Sequence, residues 1–354
     1  MKIIGNKSVS KRKFASKVKI PAIFIASILL IGALIPTTLT LFPGQLLNQV
    51  LADTVTGTDG DDNLEGSDND DDIEGKGGDD RIDSKGGNDR NTGDKNEGDG
   101  DGGDDNIDSG DGFDINTGDN FFGDGDGGDD VINSGDDNDV NRGDNFLGNG
   151  DGGDDVINSG DGFLDTNIGD NEVGAGNGGD DVINSGNGFD TNIGDNDDGN
   201  GNGGDDVINS GAEDDQNTGD NRCCGGDGGD DVINSGDGSD LNRGDNLNGN
   251  GDGGNDVINS GTGDDTNIGD NDEGDGDGGD DVIKSGKGND INFGDNRIDS
   301  GLSAGGNDKI NAAQGDDELT GGGGADKFKC GSGVDTVTDF NEEEDKASGN
   351  CEIT

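Results

Sequence analysis

Gly125-Asp126-Gly127-Gly128-Asp129-Asp130-Val131-Ile132-Asn133-Ser134-Gly135 is the stretch that decides the fold. It returns with small changes at Gly150, Gly176, Gly201, Gly226, Gly251 and Gly276, and more loosely at Gly75 and Gly100. The interval stays close to 25 residues. A fixed period of that length marks stacked, near-identical supersecondary units that touch only their neighbours. It argues against a globular domain with one active site.

One unit, residues 125–149, divides into two nine-residue pieces and a seven-residue remainder. Each nine-residue piece holds a glycine-rich turn, an aspartate and, two residues later, an apolar residue or an asparagine. Glycine admits positive φ in the turn and leaves its carbonyls uncovered. The β-branched run in Asp-Val-Ile-Asn predicts a brief strand. Its isoleucine is the inward side chain, giving the series Ile82, Ile107, Ile132, Ile157, Ile183, Ile208, Ile233, Ile258 and Ile283. Stacked at the strand spacing of roughly 4.8 Å, these would make one apolar file.

The second piece carries asparagine at the same place: Asn91, Asn116, Asn141, Asn167, Asn192, Asn217, Asn242, Asn267 and Asn292. Two readings stand side by side. The amides form a ladder along the stack, or the asparagines are solvated turn residues. A further Asp-Asn pair recurs in the seven-residue remainder, as in Asp119-Asn120, Asp144-Asn145 and Asp295-Asn296. At both ends the nine-residue beat runs without the remainder. Leu64, Ile73 and Ile82 follow Asp62, Asp71 and Asp80 by two residues, and Ile310, Leu319, Phe328 and Val337 follow Asp308, Asp317, Asp326 and Asp335 in the same way.

Composition sets the energetic problem. The 354 residues include 83 acidic, 22 basic and 77 glycines, with 24% hydrophobic residues and no His, Trp or Tyr. Such a chain reads as disordered by composition, yet random low-complexity sequence does not hold register over many units. The two agree if folding waits for a cation. A net charge of −61 repels nucleic acid and anionic membrane surfaces. Without histidine, no His-based nucleophile–base pair can be built. Periodic carboxylates in near-identical environments also cannot split their pKa values into an acid and a base. The expectation is that the protein is not an enzyme.

Residues 1–52 hold seven basic and no acidic residues. Lys2 to Lys19 is basic, Ile20 to Ile35 is almost wholly apolar, and Val50-Leu51-Ala52 precedes Asp53. This pattern fits a secretory signal peptide cut after Ala52, or an uncleaved N-terminal membrane anchor. In both cases the repeats lie outside the cytoplasm. The expected organisation is the leader (1–52), N-terminal nonapeptide repeats with the first long unit (53–98), the 25-residue-repeat solenoid (99–300), and C-terminal nonapeptide repeats with a cap (301–354).

Gly321-Gly322-Gly323-Gly324-Ala325-Asp326-Lys327-Phe328-Lys329 matches the nonapeptide G-G-x-G-x-D-x-U-x in full. On these motifs, over about residues 57–340, the chain resembles the RTX, or haemolysin-type, calcium-binding repeat family. The resemblance implies an all-β fold. It would be a parallel β-roll or β-helix solenoid with about nine 25-residue coils and nonapeptide ends, binding multiple Ca²⁺ ions between coils. Carried over by position, the ligands would be Asp62, Asp71, Asp80, Asp105, Asp130, Asp155, Asp181, Asp206, Asp231, Asp256, Asp281, Asp308, Asp317, Asp326 and Asp335. The second pieces would add Asp89, Asp114, Asp139, Asp165, Asp190, Asp215, Asp240, Asp265 and Asp290. Val337-Thr338-Asp339-Phe340 is similar to the segment that ends such rolls.

This sequence departs from the family pattern in its seven-residue insertion. That leaves two coil lengths open, 18 and 25 residues, the longer with a third side. Independently of the family, oxygen-only ligands suit a hard cation such as Ca²⁺. The bland reading is a merely solvated acidic surface.

The expected function is an extracellular calcium-binding repeat protein that folds into a rigid solenoid on Ca²⁺ binding. The alternative is a cell-surface adhesin, matrix or surface-layer protein in which Ca²⁺ is only structural. Expected partners are calcium ions and cell-surface or matrix components, with no nucleic acid, and with a membrane only through an uncleaved leader. In the alternative the working surface would be the variable turns, such as Phe121-Phe122, Phe146-Leu147 and Asp197-Asp198, whose irregularity favours a spacer. Cys223, Cys224, Cys330 and Cys351 allow three pairings, one of which, Cys330–Cys351, would staple the C-terminal cap.

Overall fold

A computed structural model describes residues 53–96, 100–121, 125–146, 150–172, 176–197, 201–222, 226–245, 251–270, 276–297 and 304–354. The leader (1–52), Cys223-Cys224, and Phe122, Leu147 and Asp198 of the variable turns lie outside the described residues.

Among the described residues there is no helix; short strands run from Thr54–Thr56 to Cys351–Ile353 and alternate between two parallel sheets. One sheet has 13 strands and carries the isoleucines; the other has 14 and carries the asparagines. Neighbours in each sheet are the strands of successive coils. Val131 pairs with Val156, Ile132 with Ile157 and Asn133 with Asn158. The protein is thus a parallel β-solenoid in which each 25-residue unit is one complete coil. The nonapeptide ends form 18-residue coils, as in Leu64↔Ile82 and Ile310↔Phe328.

The longer coil does have a third side. From Arg90–Asn96 to Gln216–Arg222 the strand does not stop one residue after the asparagine but continues into the insertion, giving seven-residue strands such as Ile115–Phe121 and Val140–Phe146. Further on, Gly102 N–H donates to Asp126 C=O at 2.8 Å and Gly127 N–H to Asp151 C=O at 2.9 Å, a separate ladder on the path back to the isoleucine sheet.

The core is narrow. The isoleucine file, Ile82 to Ile283, is 0–1% exposed and faces the asparagine file, Asn91 to Asn292, which is fully buried. The asparagines form the ladder. Asn141 Nδ2 donates one hydrogen to Asn167 Oδ1 at 2.9 Å and the other to Ser134 Oγ at 2.9 Å, and the pattern repeats coil after coil. Burial within a strand excludes the turn reading, since an amide there has only its neighbours as partners. At the ends the same position holds Ile73, Leu319 and Val337, and the core becomes wholly apolar.

The turn leaving the isoleucine sheet needs a left-handed backbone. Gly135 has φ +92°, and a Cβ there would lie 2.1 Å from Gly110 O in the preceding coil. Glycine fills this position from Gly110 to Gly286, and Lys85 (φ 77°) and Ala313 (φ 65°) hold the same conformation at the two ends of the column. A disulfide joins Cys330 to Cys351 and ties the last strand to the preceding coil. The Phe328 and Phe340 rings lie 6.3 Å apart beside it.

Candidate metal centres

The two edges of the solenoid, where the chain passes between sheets, are each lined by a file of aspartates. The sequence-derived ligand series divides between them. Asp62, Asp80, Asp105, Asp130, Asp155, Asp181, Asp206, Asp231, Asp256, Asp281, Asp308 and Asp326 stand immediately before strands of the isoleucine sheet, on the wide edge. Asp71, Asp317 and Asp335 lie at the start of strands of the other sheet, on the narrow edge, in line with the second series Asp89 to Asp290. All of these are buried except Asp62, which is half-buried.

Each file is fixed by a hydrogen bond between coils. Asp105 N–H donates to Asp130 Oδ1 at 2.7 Å, and Asp130 N–H to Asp155 Oδ1 at 2.7 Å. On the narrow edge Asp114 N–H donates to Asp139 Oδ1 at 2.9 Å and Asp139 N–H to Asp165 Oδ1 at 2.8 Å. One carboxylate oxygen is therefore satisfied in each residue. The other is not: Oδ2 of Asp80, Asp105, Asp130, Asp155 and their successors to Asp308 receives no donor, nor does Oδ2 of Asp89, Asp114, Asp139 and their successors to Asp290. The first coil differs, because Asp71 Oδ2 accepts from Ser67 N–H at 2.6 Å and Asp62 Oδ2 from the Thr58 hydroxyl at 2.8 Å.

Glycine makes the close fit possible. A Cβ on Gly118 would lie 1.6 Å from Asp130 Oδ2, so the bare Cα is what lets the carboxylate turn inward over the backbone.

Burial dominates the electrostatics. It pushes Asp105 up to about 9 and Asp308 up to about 9, with neighbouring carboxylates adding to the rise and a backbone N–H opposing it. Asp130 and Asp155 are raised well above the ordinary carboxylate value for the same reason. On the narrow edge burial raises Asp114 to about 6, Asp139 to about 7 and Asp215 to about 8. Two carboxylates about 4.8 Å apart repel by about 3–4 kcal/mol at an effective dielectric near 20. An orphaned buried carboxylate oxygen adds a desolvation cost. A file of such groups needs protons or cations in it, and oxygen-only donors suit a hard divalent cation.

Sequence reasoning did not assign one buried aspartate file. The insertion's Asp94, Asp119, Asp144, Asp170, Asp195, Asp220, Asp245 and Asp270 are buried on the wide edge, beside the motif aspartates. The signal was present, as Gly-Asp repeated in each seven-residue remainder, but it lies outside the nonapeptide grammar. Asp345 also extends the wide-edge file, accepting from Asp326 N–H at 3.0 Å.

No curated protein matches the chain. A family model, the RTX calcium-binding nonapeptide repeat, matches in four copies over residues 52–90, 250–266 and 302–337. These matches take in both nonapeptide ends and part of one long coil. With parallel coils of two sheets, glycine turns and aligned motif aspartates, the chain carries RTX calcium-binding nonapeptide repeats in these segments.

Proposed function

We propose that this calcium-binding repeat protein is extracellular and that Ca²⁺ is what folds it into a rigid solenoid. The ligands proposed are the motif aspartates Asp62, Asp71, Asp80, Asp105, Asp130, Asp155, Asp181, Asp206, Asp231, Asp256, Asp281, Asp308, Asp317, Asp326 and Asp335. Residues 1–52 are proposed as the leader that exports residues 53–354, or tethers them at the cell surface. Residues 53–98, 99–300 and 301–354 are proposed as the N-terminal repeats, long-coil body and capped end of one rod.

The observation that carries the reading is the orphaned oxygen. In coil after coil a fully buried motif aspartate gives one oxygen to a backbone N–H and has no donor for the other, as at Asp130, Asp155 and Asp181. A bound divalent cation supplies there the positive charge that the chain itself lacks. Because the chain buries little apolar surface beyond one isoleucine per coil, binding free energy becomes folding free energy. Per-site affinity is expected to be on the order of 10⁻⁴–10⁻³ M, as in extracellular calcium modules.

Far-UV circular dichroism of the purified chain in EDTA, titrated with Ca²⁺ and separately with Mg²⁺, tests this. A coil-to-β transition with Ca²⁺ and not with Mg²⁺ is expected, since Mg²⁺ demands a smaller octahedral shell. A β spectrum already complete in EDTA at neutral pH would remove calcium-driven folding from the account.

A further inference from the structure

The insertion places a second carboxylate beside each motif aspartate on the wide edge, and the two files interlock. Asp119, Asp130 and Asp144 each offer an oxygen, all within 4.8 Å of one another, and so do Asp144, Asp155 and Asp170, then Asp170, Asp181 and Asp195, and then Asp195, Asp206 and Asp220. Asp144, Asp170 and Asp195 are thus each shared by two successive trios. All are 0–1% exposed.

Two further features mark these as built positions. Asp144 Oδ2 accepts from Gly153 N–H at 2.8 Å, and Asp195 Oδ2 from Gly204 N–H at 2.8 Å, while Oδ1 of Asp119, Asp144, Asp170, Asp195, Asp220 and Asp245 receives no donor. Glycine also clears the space. A Cβ on Gly127 would lie 1.9 Å from Asp144 Oδ2, and one on Gly152 would lie 2.1 Å from Asp170 Oδ2.

We propose that the insertion converts the wide edge of the long coils into a continuous column of three-carboxylate sites for hard divalent cations, one ion per coil, bridged by the shared insertion aspartates. This rests on the calcium reading above and extends it to residues that the nonapeptide motif does not contain. Charge counting sets the stoichiometry. A long coil contributes one motif and one insertion aspartate to the column, so one divalent ion per coil leaves it neutral. The 18-residue coils lack the insertion and contribute one carboxylate there. Because neighbouring ions share a ligand, filling one site orients a ligand of the next, and the long coils fill cooperatively.

The test uses the full chain and its Asp144→Asn, Asp170→Asn, Asp195→Asn triple variant, which keeps size and hydrogen-bond acceptors but removes three bridging charges. Bound Ca²⁺ per chain is counted by equilibrium dialysis, with circular dichroism followed in parallel. The triple variant is expected to fold with Ca²⁺, bind fewer ions, up to the four whose trios contain a replaced carboxylate, and show a less steep titration. Unchanged ion count and steepness would overturn the column.

If the triple variant fails to reach the β spectrum, the wild-type chain crystallised with Tb³⁺ alone decides. Anomalous difference peaks between Asp144, Asp155 and Asp170 support the column. Peaks confined to the narrow edge overturn it. Failure of the calcium reading itself looks different, since the wild-type chain would then show no Ca²⁺-dependent transition at all.

Discussion

The backbone N–H of Asp130 donates to Asp155 Oδ1 at 2.7 Å, while Asp155 Oδ2, equally buried, meets no donor. One side chain therefore performs two separable tasks, holding the preceding coil in register and presenting an anionic oxygen. Asp155→Asn keeps an acceptor for the Asp130 N–H and removes the charge. It is expected to raise the Ca²⁺ midpoint of the β transition with little broadening. Asp155→Ala also strands the Asp130 N–H, a buried donor whose loss costs a further ~1–3 kcal/mol. Midpoints and thermal stability in excess Ca²⁺, measured for both variants, check this. Equal effects would mean that the hydrogen bond has no independent weight.

The pH dependence should have opposite signs with and without calcium. Asp114, raised to about 6, Asp139, raised to about 7, and Asp105, raised to about 9, are displaced upward chiefly by burial. A carboxyl whose folded pKa exceeds its unfolded value stabilises the fold fully below the unfolded value of about 4, and loses that contribution as pH rises through the folded value. In EDTA, β structure is therefore expected in acid and should melt as pH rises from about 4 towards 9. With Ca²⁺ the protons compete with the ion, so the midpoint should fall as pH rises. Circular dichroism over pH in both conditions reads this directly. An EDTA form that gained β structure with rising pH would contradict the burial of these groups.

How much of this was legible in the sequence follows from the range of each signal. Ile132 and Asp130 announce themselves within nine residues, through glycine, aspartate and a β-branched residue in fixed order, so the strands, the core file and the parallel stack could be read locally. Asn141 could not be decided locally. Whether an asparagine is a turn or a ladder depends on the identical residue one coil away, which holds it at 2.9 Å. Asp144 was harder still. Its partners Asp155 and Asp170 lie beyond an insertion that falls outside the nine-residue beat, and they come together only once the coil is known to close at 25 residues rather than 18.

The asparagine ladder gives a prediction that runs against hydrophobicity. Asn217 donates to Asn242 Oδ1 at 2.9 Å and to Ser210 Oγ at 3.0 Å, and accepts from Asn192 Nδ2 at 2.9 Å. Asn217→Leu places at this position the residue type found at Leu319 in an 18-residue coil, yet it strands polar atoms on three buried neighbours. The cost should be about 1–3 kcal/mol for each group left without a partner, seen as a lower melting temperature in excess Ca²⁺. A higher melting temperature would mean that the long coils tolerate an apolar file and that the ladder does not hold them.

The C-terminal disulfide acts at one end of a stack whose units contact only their neighbours, so its removal should be felt locally. The bond spans 21 residues and links the turn after Lys327–Lys329 to the final strand, Cys351–Ile353, with the exposed strand Lys346–Ser348 between them. That strand has a neighbour on one side only, at Lys327–Lys329. Closing a loop of this length stabilises by about 3 kcal/mol in the chain-entropy view. The Cys330→Ala, Cys351→Ala double variant in excess Ca²⁺ should therefore show faster amide exchange over residues 346–353. Exchange in the strands Val182–Asn184 and Val207–Asn209 should not change. If the whole stack instead loosened together, the solenoid would be a single cooperative unit nucleated from its cap, and the nearest-neighbour account of its stability would fail.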